Sequence, residues 1–242
     1  MSADRLRLFQ LVSPALPVGA FSYSEGLEVL AQSGHLDGLA AVETWLLAEL
    51  ERGLLPIEAA TLPPMMAALR AWRAGQPGAE AVVRDLDGWL LAQREAAEMR
   101  AQHSQMGRSL LQLLADLGWP LPHRQAPAEA SAEAVAGRGG DRPSLGWPAA
   151  WAWAGLCLEL PPLEVLEAYL YGWSANQISA AVRLVPLGPT EAQRLQLALA
   201  PRLAARAAAL AELDPRQLRT GGVGAGLAQL GHAALYSRLF RS

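Results

Sequence analysis

Apolar residues recur three and four positions apart along nearly the whole chain, whereas two-residue alternation never persists and β-branched residues are sparse. That period is the signature of one face of an α-helix, and its dominance predicts an all-α fold. Hydrophobic residues occupy 52% of the 242 positions but aromatics only 6%, so the apolar content is chiefly Ala, Leu and Val, a mixture that favours helices. A chain of this length buries about three quarters of the surface its unfolded form exposes, enough for one sizeable core. We therefore expect a single-domain helical bundle of about ten helices spanning residues 1–242.

Punctuation residues place the helices. Arg5–Leu11 reads as a short helix stopped by Ser13, Pro14, Pro17 and Gly19. Ser22 and Glu25 have capping-box spacing and Gly34 is a C-terminal stop, so Tyr23–Ser33 is expected to be helical. Asp37 is the expected N-cap of Leu39–Arg52. Pro56 opens a helix to about Arg73 that Pro63 and Pro64 are expected to bend or break. Gly75–Gly78 is a turn, followed by helices at Glu80–Leu91 and Arg94–Leu117, the latter with a core stripe of Met99, Met106, Leu110, Leu113 and Leu117. Residues 126–142 lack large apolar side chains and read as a flexible internal linker. Trp147–Leu158 and Leu163–Val185 are further helices, the second central because no formal charge occurs between Glu167 and Arg183. Thr190 and Gln193 open a helix to Leu213 kinked at Pro201, and Gly221–Gly226 is a hinge before the final segment.

Several chemistries are excluded. All twenty basic residues are Arg, so there is neither a P-loop lysine nor a Schiff-base lysine. The net charge of -3 and the dispersed arginines leave no basic patch for a phosphate backbone, so nucleic acid is not an expected partner. The uncharged windows Pro143–Leu158 and Ala168–Val182 fall short of a typical membrane span, and Cys157 has no second cysteine to pair with. With no leader visible at Met1–Leu11, the expected location is the cytoplasm, without a membrane. His35, His103, His123 and His232 stand far apart, so no metal site and no cofactor are expected. The four glycines of 221–226 do not meet the dinucleotide-binding spacing and follow no strand. Glu95 and Glu98 beside Arg94 and Arg100 read as solvated helix ion pairs; the enzymatic alternative is a small helical hydrolase using Glu95, Glu98 and His103.

The last segment is unusually dense in anchor chemistry, with Tyr236, Arg238, Leu239, Phe240 and Arg241 packed together. Such side chains supply large apolar area and directional hydrogen bonds, so residues 227–242 read as a partner-binding tail; the alternative is a last turn folded back on its own core. The run from Ser13 to Glu28, SPALPVGAFSYSEGLE, resembles the N-terminal signature of the UreF family of urease accessory proteins. Three further blocks agree in order: Glu98 and Arg100 with Ser104, Met106, Gly107 and Leu110; Tyr169–Gly188 continuing to Gln193 and Arg194; and Tyr236–Ser242. The resemblance spans nearly the whole chain. The chain departs from it at Leu145–Pro148, where the family often has a His-x-Pro approach, and in the length of the 126–142 linker.

What the resemblance implies is an all-helical, homodimeric, non-catalytic scaffold or chaperone. It would bridge the accessory protein UreD (UreH) and the GTPase UreG on apo-urease for GTP-dependent nickel insertion, with modulation of the GTPase. Carried over residue by residue, the expected partner-binding positions are Pro17, Gly19, Phe21, Ser22, Tyr23 and Glu28 with Tyr236, Arg238, Leu239, Phe240 and Arg241. Gln177, Arg183 and Arg100 are the candidates for the dimer or GTPase-facing surface. Among the arginines no single one stands out as an arginine finger.

Overall fold

The apolar period becomes helix almost throughout. A computed structural model describes residues 2–122 and 145–241, with the side chains of 2–5 left out. The 126–142 linker therefore lies outside the described residues, as do His123 and Ser242. Ten α-helices and no strand occur among the described residues: α1 Ser2–Leu11, α2 Leu27–Gln32, α3 Leu39–Arg52, α4 Leu55–Arg73, α5 Ala79–Ala92, α6 Ala97–Asp116, α7 Trp147–Cys157, α8 Pro162–Leu184, α9 Pro189–Ala211 and α10 Val223–Gly231. Short 3-10 turns at Ala20–Ser22, Pro215–Gln217 and His232–Ala234 complete the set. No helix among them is long and apolar enough to cross a membrane.

Two helices share the centre. α8 touches α1, α2, α3, α4, α7 and α9, as its uncharged middle led us to expect. α4 is equally enclosed, lying against α3, α5, α7, α8 and α9 with Leu62, Met65, Met66 and Leu69 fully buried. Pro63 and Pro64 neither break nor end it. Each proline removes an intrahelical donor, but burial of the helix on nearly all sides outweighs that loss, a case of tertiary packing overriding local propensity.

α7 inserts an Ala-rich, Trp-bearing surface between α4 and α6. Its entry is fixed at Gly107 of α6, where a Cβ would lie 2.7 Å from the carbonyl carbon of Gly146, so only a hydrogen fits there. Asp87 of α5 accepts the Gly146 N–H at 2.8 Å and pins the same junction, and burial pushes its carboxyl up to about 6. The core stripe of α6 runs through Met99 and then Met106, Leu110 and Leu114 at a spacing of four, with the expected Leu113 partly buried beside it, while Leu117, past the helix end at Asp116, is half exposed.

Four local expectations are corrected. Ser22 and Glu25 do not form a capping box: the chain makes a 3-10 turn, then two left-handed residues, Glu25 (φ 54°) and Gly26 (φ 95°), so α2 begins only at Leu27. Gly26 packs against the other end of the sequence, where a Cβ would stand 3.1 Å from the Ala228 Cβ. Gly38, rather than Asp37, occupies the N-cap of α3. α9 starts at Pro189, where Glu191 accepts the Gly188 N–H at 3.1 Å, so the Thr190 box is displaced. The Gly221–Gly226 hinge is in part the first turn of α10, fastened to α3 by the Gly221 N–H donating to the Arg52 carbonyl at 2.8 Å.

Candidate functional site

The turn that replaces the expected capping box organises two carboxylates, Glu25 half-buried and Glu28 buried. Glu25 reaches away from its own backbone and accepts Gln102 Nε2 at 2.8 Å and Trp173 Nε1 at 2.9 Å, tying the turn to α6 and α8. Glu28, in the first turn of α2, is 2% exposed. It accepts the backbone N–H of Leu239 at 2.6 Å and of Phe240 at 3.0 Å, across more than two hundred residues of sequence. A carboxylate this buried needs such donors, because an ionised group without partners in the interior costs several kcal/mol or more.

Around this contact the two ends of the described chain form a clasp. His232 is fully buried between Glu28 (Nε2 to Oε2, 3.3 Å) and Glu98 (Nδ1 to Oε2, 2.8 Å). Arg238 donates to Glu98 Oε1 at 3.0 Å, the Arg241 N–H donates to the Ser22 carbonyl at 2.8 Å, and Gln32 donates to the Ser237 carbonyl at 3.1 Å. The Arg183 guanidinium stacks over the Phe240 ring at 4.4 Å and donates to the Phe21 carbonyl at 3.3 Å.

Four sequence blocks thus meet at one place: the N-terminal motif, the start of α6, the end of α8 through Arg183, and the tail. Of the tail residues, Phe240 folds back into the core, 4% exposed, while Tyr236 is fully exposed and Leu239 half exposed. From the N-terminal motif, Tyr23 and Glu28 are buried, Gly19 carries the left-handed angle that enters the 3-10 turn, and Pro17 and Phe21 face outward. Phe21, Tyr236 and Leu239 are exposed apolar groups of these segments, and Val223, Leu227 and Leu230 of α10 are exposed as well.

The remaining candidates lie elsewhere. Gln177 is buried in α8, its Oε1 without a hydrogen-bond partner, and lines a cavity of about 290 Å³ beneath the 11–23 loop. Arg100 is exposed and donates to the carbonyls of Arg94 at 2.6 Å and Glu95 at 2.7 Å. Glu95, Glu98 and His103 do not converge. Glu95 is exposed, Glu98 is engaged by His232 and Arg238, and His103 points into the core towards Glu58 at 3.7 Å.

Arg94 is not one of the solvated ion pairs read from the sequence. It is 6% exposed and pairs with Glu58 of α4, a residue the sequence reading did not single out. The Tyr169 hydroxyl donates to Glu58 Oε2 at 2.8 Å. Burial disfavours the Arg94 charge, but Glu58 and Glu25 more than offset it, so the guanidinium is held above its ordinary pKa. Burial and then the negative Glu58 raise the Tyr169 phenol. Burial, reinforced by the Arg94 charge, lowers His103 to about 3, so it stays neutral. The available signal for Glu58 was a lone acid within the apolar run 54–62. No cluster of three or more His, Cys, Asp or Glu arranged to hold a metal ion occurs among the described residues.

Comparison with known proteins agrees over most of the chain. The UreF family model matches residues 36–200. The urease accessory protein UreF of Alkalilimnicola ehrlichii is 39% identical over 236 residues, 98% of this chain and 95% of that protein. The proteins of the same description from Prochlorococcus marinus (strain MIT 9215) and Trichormus variabilis are 32% identical over 244 residues and 36% identical over 237. The first of these alignments covers 100% of both chains and the second 98% of this chain and 95% of the relative.

Proposed function

The chain belongs to the UreF family of urease accessory proteins, and from that premise we propose that it serves urease maturation as a non-catalytic, homodimeric scaffold bridging UreD (UreH) and the GTPase UreG on apo-urease. In this reading it supports GTP-dependent nickel insertion, with modulation of the GTPase, and the nickel is cargo rather than a resident cofactor. The clasp carries the partner-binding role. The observation that supports this assignment is the Glu28 contact, which sets the N-terminal motif and the tail side by side while Phe21, Tyr236 and Leu239 stay exposed.

Large aromatic and aliphatic groups standing exposed beside arginines have the composition of interface anchors. Because Tyr236 and Leu239 project away from the fold, replacing both by Ala removes contact area without disturbing the buried Glu28 bonds. Co-expression with the cognate UreD followed by affinity capture tests the assignment. Loss of residues 236–242 is expected to abolish capture, and the Tyr236→Ala, Leu239→Ala double variant to weaken it at least tenfold. Capture of both variants at full strength would refute the tail as the UreD contact.

A further inference from the structure

Residues 220–231 cross the molecule as a strap. At one end the Thr220 hydroxyl and the Gly221 N–H both donate to the Arg52 carbonyl, at 3.1 Å and 2.8 Å. At the other, Ala228 seats on Gly26 and Gln229 Nε2 donates to the Glu25 carbonyl at 3.5 Å. Beneath it lies a cavity of about 150 Å³ walled by Trp45 and Glu49 of α3, Glu58 of α4 and Trp173 of α8. The Glu49 carboxyl occupies the slot where α3 meets the strap: it abuts Gly53, and a Cβ on Gly222 would lie 3.7 Å from its Oε1 and 3.3 Å from the Gly53 Cα. No hydrogen bond from the described residues reaches that carboxyl.

The charged groups around it are mostly of its own sign. Glu25 faces it from the turn before α2 and Glu58 from α4, while the connection between α5 and α6 supplies Glu95 and Arg94. Arg94 is already engaged by Glu58. On α3 itself Arg52 contributes its carbonyl to the strap, and Arg206 of α9 is spent on the Leu50 and Glu51 carbonyls.

We propose that Glu49 is a proton-operated latch for the strap: with its carboxyl neutral the strap lies closed over the cavity, and ionisation of that carboxyl, walled in by glycines and like charges, drives the strap open. Burial, and after it the charge of Glu25, push Glu49 up to about 7 from its ordinary 4.5. An opened strap returns the carboxyl to water and its ordinary affinity for protons, so the closed state binds the proton more tightly. Closure is then fully favoured below about pH 4.5, loses about tenfold per pH unit as pH rises, and levels off above about pH 7. Because α10 runs directly into His232 and the clasp, the latch also sets how freely residues 232–241 move. The inference concerns the chain alone and stands whether or not the tail contacts UreD.

Hydrogen exchange on the full chain tests it, using protection factors corrected for the intrinsic pH dependence of exchange. The Gly221 and Gly226 amides, bonded to the Arg52 and Gly222 carbonyls, report strap opening, and amides within α4 report the whole fold. Between pH 5 and 7 strap protection is expected to fall about 40-fold in the wild type with no parallel fall in α4, and to stay flat in Glu49→Gln. Glu25→Gln provides a second reading should Glu49→Gln fail to fold: with one negative charge removed, the plateau is reached at lower pH. A flat wild-type profile, an unaltered slope in Glu49→Gln, an unmoved plateau in Glu25→Gln, or an equal slope in α4 would each overturn the latch.

Discussion

Replacing Glu28 by Ala removes the acceptor for two backbone donors at once, the Leu239 and Phe240 N–H groups, and the Nε2-side partner of His232. A hydrogen bond to a charged group contributes about 1.5–3 kcal/mol. The Leu239 N–H regains water readily because its residue is half exposed, so the lower figure applies there; the Phe240 N–H is buried and loses more. Removing a buried negative charge offsets part of the sum. The net expectation is about 3 kcal/mol of local closure, or roughly two orders of magnitude in the opening equilibrium of the tail. His232 keeps Glu98, and the α4 core is untouched, so global stability should fall by much less. Hydrogen exchange at Leu239 and Phe240, with α4 amides as the internal reference, measures both quantities. Glu28→Gln, which retains an uncharged acceptor, should give an intermediate loss. Unchanged protection at Leu239 and Phe240 in Glu28→Ala, or equal losses in tail and α4, would refute Glu28 as the keeper of the clasp.

Two other expectations follow from buried groups. Arg94→Met leaves the Glu58 charge stranded in the core and should cost about 3–5 kcal/mol in urea denaturation, with most of the loss recovered when Glu58→Leu is added; an additive double variant would contradict the pairing. Burial pushes the Cys157 thiol up to about 11 from its ordinary 9.0, so at pH 8 its reaction with a thiolate-specific reagent should be about 100-fold slower in the native protein than in urea, and comparable rates would contradict its placement.

Periodicity made the helices legible: α3 begins and ends where the sequence placed it, and α5, α7 and α8 fall within one residue. What failed were local rules overruled from afar. The Ser22–Glu25 spacing is a sound helix start in isolation, yet Glu25 is taken by Gln102 and Trp173, and Gly26 must give way to Ala228, so the turn is left-handed instead. The glycines of 221–226 read as slack because their fastening to Arg52 joins positions that only the folded bundle brings together. The clasp shows the same division. Its members, Glu28, Glu98, Arg183 and the tail, were all visible as marked residues, but their meeting was not, since nothing in local spacing pairs residue 28 with residue 240. Glu58 was missed because a single acid in an apolar run looks like a helix surface position until Arg94 and Tyr169 close over it.

The clasp makes the tail a tethered competitor. Once the bundle has brought α2 and α10 together, residues 232–241 search only a small volume, and a segment on so short a leash acts at an effective concentration in the ~mM range. Any other chain that offers paired amides to Glu28 must first displace that internal occupant, and its measured dissociation constant is inflated by the share of time the site is already filled. Weakening the intramolecular ligand alone, without touching the incoming one, therefore tightens binding from outside.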